Sequence, residues 1–230
     1  MKIVFLNTWD GRMRENLHAF LLEQIKDTDV LCLQEVHTSA LAVFEDLLKN
    51  YTRTAAEKII NSQNLFGNST YTSADTRVIS SEILYPTESE IGLALYTEIE
   101  YRSKTYHLVN IHGWARPGTK LDTPERIRFS TEILRFMGTK TGPKIIGGDL
   151  NLFPETQSVQ MFEAHGYQNL IKDYNITNTR NRFSWDLFPD LPQQHFADFV
   201  FVSADVVVTD FQVIDNEASD HLPMILEIEG

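Results

Sequence analysis

Within its first 35 residues the chain runs strand, helix, strand, and that order excludes all-α and all-β folds. Ile3-Val4-Phe5-Leu6 is a short β-branched and aromatic run ending at Asn7, and it predicts a strand passing from edge to core. Leu17, Phe20, Leu21, Leu22 and Ile25 recur at helical spacing over 16–25, and Asp29–Gln34 reads as a second strand. A second helical stretch over 39–49 carries Leu41, Phe44, Leu47 and Leu48 on one face.

The alternation continues. Strands are expected at 91–97 and 104–111, then a helix over 124–137, which Asp122-Thr123 can cap and whose first turn suits Pro124. Lys144-Ile145-Ile146 reads as a strand stopping at Gly147-Gly148, followed by a short helix at 157–165 and strands at 198–202, 205–214 and 223–228. Residues 61–90, rich in Asn, Ser, Thr and Glu, read as a long loop or short-strand region, and 175–196 as irregular and aromatic-rich. The hairpin-like pairs at 91–111 and 198–228 suggest mixed sheets with helices outside. There is no fixed-period repeat or flexible linker, and 230 residues suit one domain, 1–230, with a sizeable core.

The lone Cys32 excludes a disulfide framework and a multi-cysteine zinc site, and it reads as a small buried apolar residue. The N-terminus turns polar after four apolar residues, too few for the apolar region of a signal peptide, and nothing approaches the ~18 residues of a membrane span. The expectation is a soluble cytoplasmic protein, with a monomer assumed. A net charge of −12 opposes non-specific attraction to duplex DNA or an anionic membrane, while leaving room for a local basic cleft.

Four strands end in groups suited to chemistry: Asn7, Glu35, Asp149 with Asn151, and Asp220 with His221. Singly, each has a bland reading. Asp149 and Asn151 can shape a turn, Glu35 can cap the helix that follows, and Asn7 can satisfy loop amides. In an α/β protein, however, strand ends converge on a rim where ligands bind. Mg²⁺ takes oxygen ligands, typically one or two carboxylates plus substrate phosphate, and Glu35 with Asn7 supplies such a sparse site. Asp149 and Asn151, two apart on an extended segment, would face the same way and address a water and a phosphoryl oxygen. His221, with Asp198 from a neighbouring strand, can hold a proton or stabilise pentavalent charge.

The pieces also occur in a telling order: Leu6-Asn7-Thr8-Trp9, Leu33-Gln34-Glu35-Val36, Gly92-Leu93-Ala94-Leu95, Asn110-Ile111-His112, Gly147-Gly148-Asp149-Leu150-Asn151, Asp198-Phe199-Val200-Phe201-Val202 and Ser219-Asp220-His221-Leu222-Pro223. Over essentially its whole length the chain resembles the endonuclease/exonuclease/phosphatase superfamily of metal-dependent phosphoesterases. The resemblance implies a four-layer α/β sandwich, two mixed β-sheets packed face to face with helices outside. It also implies Glu35 as main metal ligand with Asn7 beside it and Asp220 as a second acidic group near the metal. His112 and Asn151 would contact the scissile phosphate, Asp149 would orient or deprotonate the attacking water, and Asp198 would orient His221.

Apurinic-site endonucleases of the superfamily carry Gln-Glu-Thr-Lys where this chain has Gln34-Glu35-Val36-His37. The histidine at a strand end points instead to the branch holding deoxyribonuclease-I-like nucleases, sphingomyelinases, inositol polyphosphate phosphatases and deadenylases. Tyrosyl-DNA phosphodiesterases have Gly-Asp-Thr-Asn where Leu150 stands here. Phe129 occupies a position that is often glutamine, so the surroundings of the site differ there. Trp114, Arg116 and Lys120 form either a stacking face with two cations beside the phosphate or a solvated turn with Trp114 covering the sheet end. His18, His37, His107, His165 and His195 share no spacing and read as surface or structural; Phe183, Trp185, Phe188 and Phe196 read as a satellite core.

The function expected is a Mg²⁺- or Mn²⁺-dependent phosphodiesterase or phosphoesterase acting by in-line attack of water, on a short or single-stranded nucleic acid or nucleotide. The alternatives are a phosphatase or phospholipase-C-like enzyme acting on a phosphorylated small molecule or lipid headgroup, and a non-catalytic binding module that kept the fold.

Overall fold

The computed structural model describes residues 1–61, 64–84, 92–116, 118–186, 189–190 and 192–230. Strands and helices follow in the order β1 (Lys2–Asn7), α1 (Arg14–Gln24), β2 (Val30–His37), α2 (Thr38–Leu47), β3 (Thr52–Asn61), β4 (Asn64–Thr72), β5 (Thr76–Ile83), β6 (Leu93–Tyr101), β7 (Lys104–His112), α3 (Pro124–Gly138), β8 (Lys144–Asp149), α4 (Gln157–Ala164), β9 (Tyr167–Asn169), α5 (Leu170–Asp173), α6 (Phe183–Asp186), β10 (Asp198–Ser203), β11 (Val208–Val213) and β12 (Met224–Ile228). They build two mixed six-stranded sheets, β11-β12-β1-β2-β4-β3 and β5-β6-β7-β8-β10-β9.

The unbroken apolar runs of β1 and β2 have a simple cause: both strands lie inside the first sheet and are covered on both faces. Successive side chains alternate between faces. Ile3, Phe5, Val30 and Cys32 therefore enter the core shared with the second sheet, while Val4, Leu6, Leu31 and Leu33 pack with Leu17 and Leu21 of α1 and Phe44 of α2. On the other side, Phe129, Ile133 and Met137 of α3 and Val159 and Phe162 of α4 cover the second sheet. The result is helices, sheet, sheet, helices. Complete burial of a side chain such as Phe5 contributes roughly 1.5–3 kcal/mol.

Several expectations need correction. The strand at 144 does not stop at the glycines but runs through them to Asp149. A Cβ on Gly147 would lie 2.7 Å from Cε1 of Phe5, so the missing side chain is what lets the two sheets approach. Gly148 holds φ +125, and a Cβ there would meet the Ile111 carbonyl oxygen at 2.3 Å. Residues 62–63 and 85–91 lie outside the described residues; over the rest of 61–90 the short-strand alternative holds at 64–72 and 76–83, where β4 pairs with β2 and with β3, and β5 with β6. Their Thr- and Ser-rich sequence hides this. The pair at 91–111 is the antiparallel β6–β7 hairpin, but within 198–228 only β11 and β12 pair; β10 belongs to the other sheet, between β8 and β9.

Thr123 caps α3, its hydroxyl accepting from the Arg126 amide at 3.3 Å. Asp122 does not. Its carboxylate takes the Gln157 and Ser158 amides at 2.6 and 3.0 Å and so caps α4, tying the segment before α3 to the next helix. Among the described residues no helix is long and apolar enough to cross a membrane.

Candidate active site

One rung of the second sheet carries three of the expected residues side by side. His112 pairs with Asp149 in the parallel β7–β8 ladder, and Asp149 pairs with Asp198 in the antiparallel β8–β10 ladder. Opposite, the first sheet brings Asn7 and Gln34 into register. The polar strand ends thus meet across the sandwich, as strand-end chemistry requires.

The approach is held by buried amides. Gln34 donates through Nε2 to Asn110 Oδ1 at 2.7 Å, Asn110 donates to the Ser69 carbonyl at 3.1 Å, and Asn68 donates to the Asn110 carbonyl at 3.1 Å. Such bonds inside an apolar sandwich fix register more than they add net stability. They set the ends of β2 and β7, where Glu35 and His112 sit.

Glu35 reaches the site through a bulge. The β2–β4 register shifts between Leu33 and Val36, and Glu35 takes φ +52. A bulge re-aims a side chain, and left-handed backbone in a non-glycine residue costs about 1–3 kcal/mol. Trp9, Lys120 and Asn151 are left-handed too, at φ 48, 53 and 56, so strained backbone gathers here. The Glu35 carboxylate lies 3.5 Å from His112 Nε2, and that nitrogen, buried and without a hydrogen-bond partner, is also 3.9 Å from Asp149. Burial pushes the Glu35 pKa up, with His112 and His221 opposing the shift.

Asp149 is the hub. Its Oδ2 accepts from Asn7 Nδ2 at 2.9 Å and Asn151 Nδ2 at 3.0 Å, and its Oδ1 accepts from the Asn151 amide at 2.8 Å. Asn151 is not on an extended segment, contrary to expectation: its left-handed backbone folds its side chain back onto Asp149. Burial works against ionisation of Asp149, but His221, Lys120, His112 and Arg180 outweigh it and hold its pKa down at about 2.

His221 lies in the loop before β12, and its Nδ1 is 3.0 and 2.9 Å from the two carboxylate oxygens of Asp198. Asp198 therefore comes from the opposite sheet, not from a neighbouring strand. His221 Nε2 faces Asp149 at 3.8 Å and Asp220 at 3.9 Å. Burial alone lowers the His221 pKa, yet Asp198, Asp220 and Asp149 raise it to about 9. Asp220 is bound by Arg180 at 2.9 Å and meets the cluster through His221 Nε2, 3.9 Å away.

The three candidates for substrate contact separate. Arg116 is exposed, while Trp114 is half-buried against the core, with its carbonyl held by the Arg126 guanidinium at 2.8 and 3.1 Å. Lys120 is 4% exposed, and its Nζ donates to Asn151 Oδ1 at 2.6 Å. Phe196 packs on the core, whereas Phe183 stacks on Trp9 at 6.3 Å and Trp185 meets His195; Phe188 lies outside the described residues.

Sequence reasoning missed Arg180. It bridges to His221 and grips Asp220, in a segment whose only signal is the polar run Asn178-Thr179-Arg180-Asn181. The Thr179 hydroxyl beside it accepts from the Ala197 and Asp198 amides at 3.1 and 3.2 Å, docking that segment on the start of β10.

Glu35, Asp149 and the Asn7 amide oxygen suit a hard divalent cation. That oxygen accepts one bond, from the Trp9 amide at 3.0 Å, and keeps a second lone pair. The unpartnered His112 nitrogen adjoins the same space.

The sequence model of the Endonuclease/Exonuclease/phosphatase family matches residues 7–221. No curated protein matches the chain. Among solved structures, the human Nocturnin catalytic domain with bound sulfate has TM-score 0.79 at 18% identity, covering 100% of this chain and 93% of that one. A Bacteroides thetaiotaomicron mannosyl-6-phosphatase gives 0.76 at 16%, covering 100% of each, and D. rerio TDP2 complexed with single-strand DNA product gives 0.81 at 14%, covering 100% of this chain and 99% of that one. At these identities the likeness is one of fold.

Proposed function

This chain belongs to the endonuclease/exonuclease/phosphatase family of phosphoesterases, and we propose that it hydrolyses phosphate esters with Mg²⁺ or Mn²⁺ by in-line attack of water. The observation that carries this is the rung His112–Asp149–Asp198 closed from the other sheet by Asn7, Glu35 and His221. Glu35 and Asn7 would hold the cation, whose chemistry when bound would be stabilisation of the negative charge that develops during ester hydrolysis. Asp220, paired with Arg180, would be a second acidic group near that cation.

The residue roles follow from the electrostatics. Hydrogen bonds from Asn7 and Asn151, with the charges of His221 and Lys120, keep the Asp149 carboxylate ionised, and it orients the attacking water. His221, raised to about 9, is protonated at neutral pH and meets phosphoryl charge through Nε2, while Asp198 fixes the ring. His112 and Asn151 contact the scissile phosphate. The water oxygen bonds phosphorus as the ester P–O bond breaks, and the departing oxygen ends with the proton that the water gives up.

Arg116 and Trp114 lie on the segment leading to Lys120 and contact the rest of the substrate, a short or single-stranded nucleic acid or nucleotide. A phosphorylated small molecule is the second reading, favoured by the net charge of −12. The test is hydrolysis of bis-p-nitrophenyl phosphate with Mn²⁺, abolished by EDTA and restored by Mn²⁺. Inactivity on that ester and on single-stranded DNA, nucleotides, inositol phosphates and phospholipid headgroups alike overturns the proposal.

A further inference from the structure

Lys120 is a cation in an interior position. It is 4% exposed, its backbone is left-handed, and among the described residues Nζ has one acceptor, Asn151 Oδ1 at 2.6 Å, with no carboxylate within ion-pair distance. An ammonium has three donors, and a buried one lacking a paired anion is costly. Methionine would fill similar volume without that cost.

The chain nevertheless holds Lys120 in place from both sides. The Lys120 carbonyl accepts from the Phe153 amide at 3.0 Å, and the next carbonyl, Leu121, accepts from Arg126 Nη1 at 2.5 Å. Arg126 also grips the Trp114 carbonyl, and Asp122 caps α4. The segment from Trp114 to Asp122 is thus fastened at its ends, with Lys120 turned into the cluster. There its ammonium reaches Asp149 through one amide: Lys120 to Asn151 Oδ1, and Asn151 Nδ2 to Asp149 Oδ2.

Building on the phosphoesterase reading, we propose that Lys120 is a catalytic residue of this chain, placing its ammonium on a non-bridging oxygen of the transferring phosphoryl group beside Asn151. Lysine is a compact point charge with rotatable donors, which suits one phosphoryl oxygen. Charge spread over the equatorial oxygens in the transition state is what such a donor meets. Lys120 is therefore an interior part of the reaction centre, unlike exposed Arg116.

The test compares wild type, Lys120→Met and Lys120→Gln by turnover of bis-p-nitrophenyl phosphate with Mn²⁺. It also compares their affinity for orthovanadate and inorganic phosphate with Mg²⁺, read by calorimetry. Lys120→Gln retains a hydrogen-bond donor for Asn151 without the charge, so it separates a structural role from an electrostatic one. Both variants are expected to lose ~10²-fold or more in kcat with KM within about threefold, and to lose more affinity for vanadate than for phosphate. Wild-type kcat in either variant, a loss confined to KM, or equal losses for both anions overturns the proposal. Should Lys120→Met fail to fold by circular dichroism, Lys120→Gln decides alone. Should wild type hydrolyse no ester, the phosphoesterase reading falls, and the vanadate comparison still decides where Lys120 acts.

Discussion

Asp198 and His221 come from opposite sheets and meet in the closed interior, with both carboxylate oxygens of Asp198 about one hydrogen bond from His221 Nδ1, at 3.0 and 2.9 Å. The pair therefore joins the two halves of the sandwich where they form the site. A histidine so held has one ring nitrogen committed and one, Nε2, left for chemistry.

If the two act as a unit, their substitutions will not add. Asp198→Ala is expected to reduce kcat less than His221→Ala does, and the double variant is expected to match His221→Ala alone. Steady-state kinetics on all four proteins reads the cycle. Fully additive losses separate the roles of the two residues.

The same contact fixes a titration. His221 rises to about 9 from an ordinary value near 6.5 because Asp198, Asp220 and Asp149 overcome burial. Its contribution to stability is complete below pH ~6.5 and is lost as pH rises through about 9. In EDTA-treated protein, NMR is expected to place the His221 midpoint well above 7, and Asp198→Asn to bring it down. A midpoint at or below 6.5 contradicts the arrangement.

Glu35 has less hydrogen-bonded support for its charge than Asp149: His112 stands 3.5 Å away and Asn7 is its hydrogen-bond partner, while Asp149 accepts three bonds. Glu35→Gln is expected to weaken Mn²⁺ binding by about tenfold or more in calorimetry while leaving the urea midpoint unchanged or raised, because a desolvated charge has been removed. Unchanged Mn²⁺ affinity places the metal elsewhere.

Much of this was legible because the site's residues sit at strand ends, where hydrophobic runs stop and a polar side chain stands out. Asn7, Glu35, Asp149 and His221 were visible that way. What the residues do locally was not. The bulge that turns Glu35 and the left-handed backbone at Asn151 are imposed by pairing with distant strands, and no neighbouring residue announces them. Arg180 and Thr179 lie in an irregular segment placed wholly by tertiary contacts. Nothing around Arg126 marks it as interior, yet it is 1% exposed and its guanidinium donates to carbonyls. The β4 and β5 strands were hidden because Thr- and Ser-rich strands, one buried throughout at 67–72 and one mostly exposed, lack a strong apolar alternation.

Glycine 147 tests the packing that brings the sheets together. A methyl group at Gly147 would come within 2.7–3.0 Å of three atoms of the Phe5 ring. Gly147→Ala is expected to destabilise the protein by about 1–3 kcal/mol, as overpacking does, and to lower activity by shifting β8 against β1. Phe5→Leu in the same chain is expected to recover part of that loss in urea unfolding. A neutral Gly147→Ala shows that the sheets are farther apart at this point.

The charge around the site limits the size of the substrate. A track that neutralises six or more phosphates on duplex DNA makes log affinity fall with log salt by about 0.9 per phosphate. Here the net charge is −12, and the cations near the site are largely committed: Lys120 is buried on Asn151, Arg126 is buried on carbonyls, Arg180 is paired with Asp220 and Arg182 with Glu217. Arg116 is exposed on the segment leading to Lys120, and one such residue beside the reaction centre reaches few phosphates. Catalytically disabled Asp149→Asn protein is therefore expected to bind a duplex of about 20 base pairs weakly, with a shallow salt slope, and a short single strand or nucleotide at least as well. Fluorescence anisotropy across a salt series measures both. Submicromolar duplex binding at physiological salt with a slope steeper than about −5 requires a basic track and makes the chain a duplex nuclease.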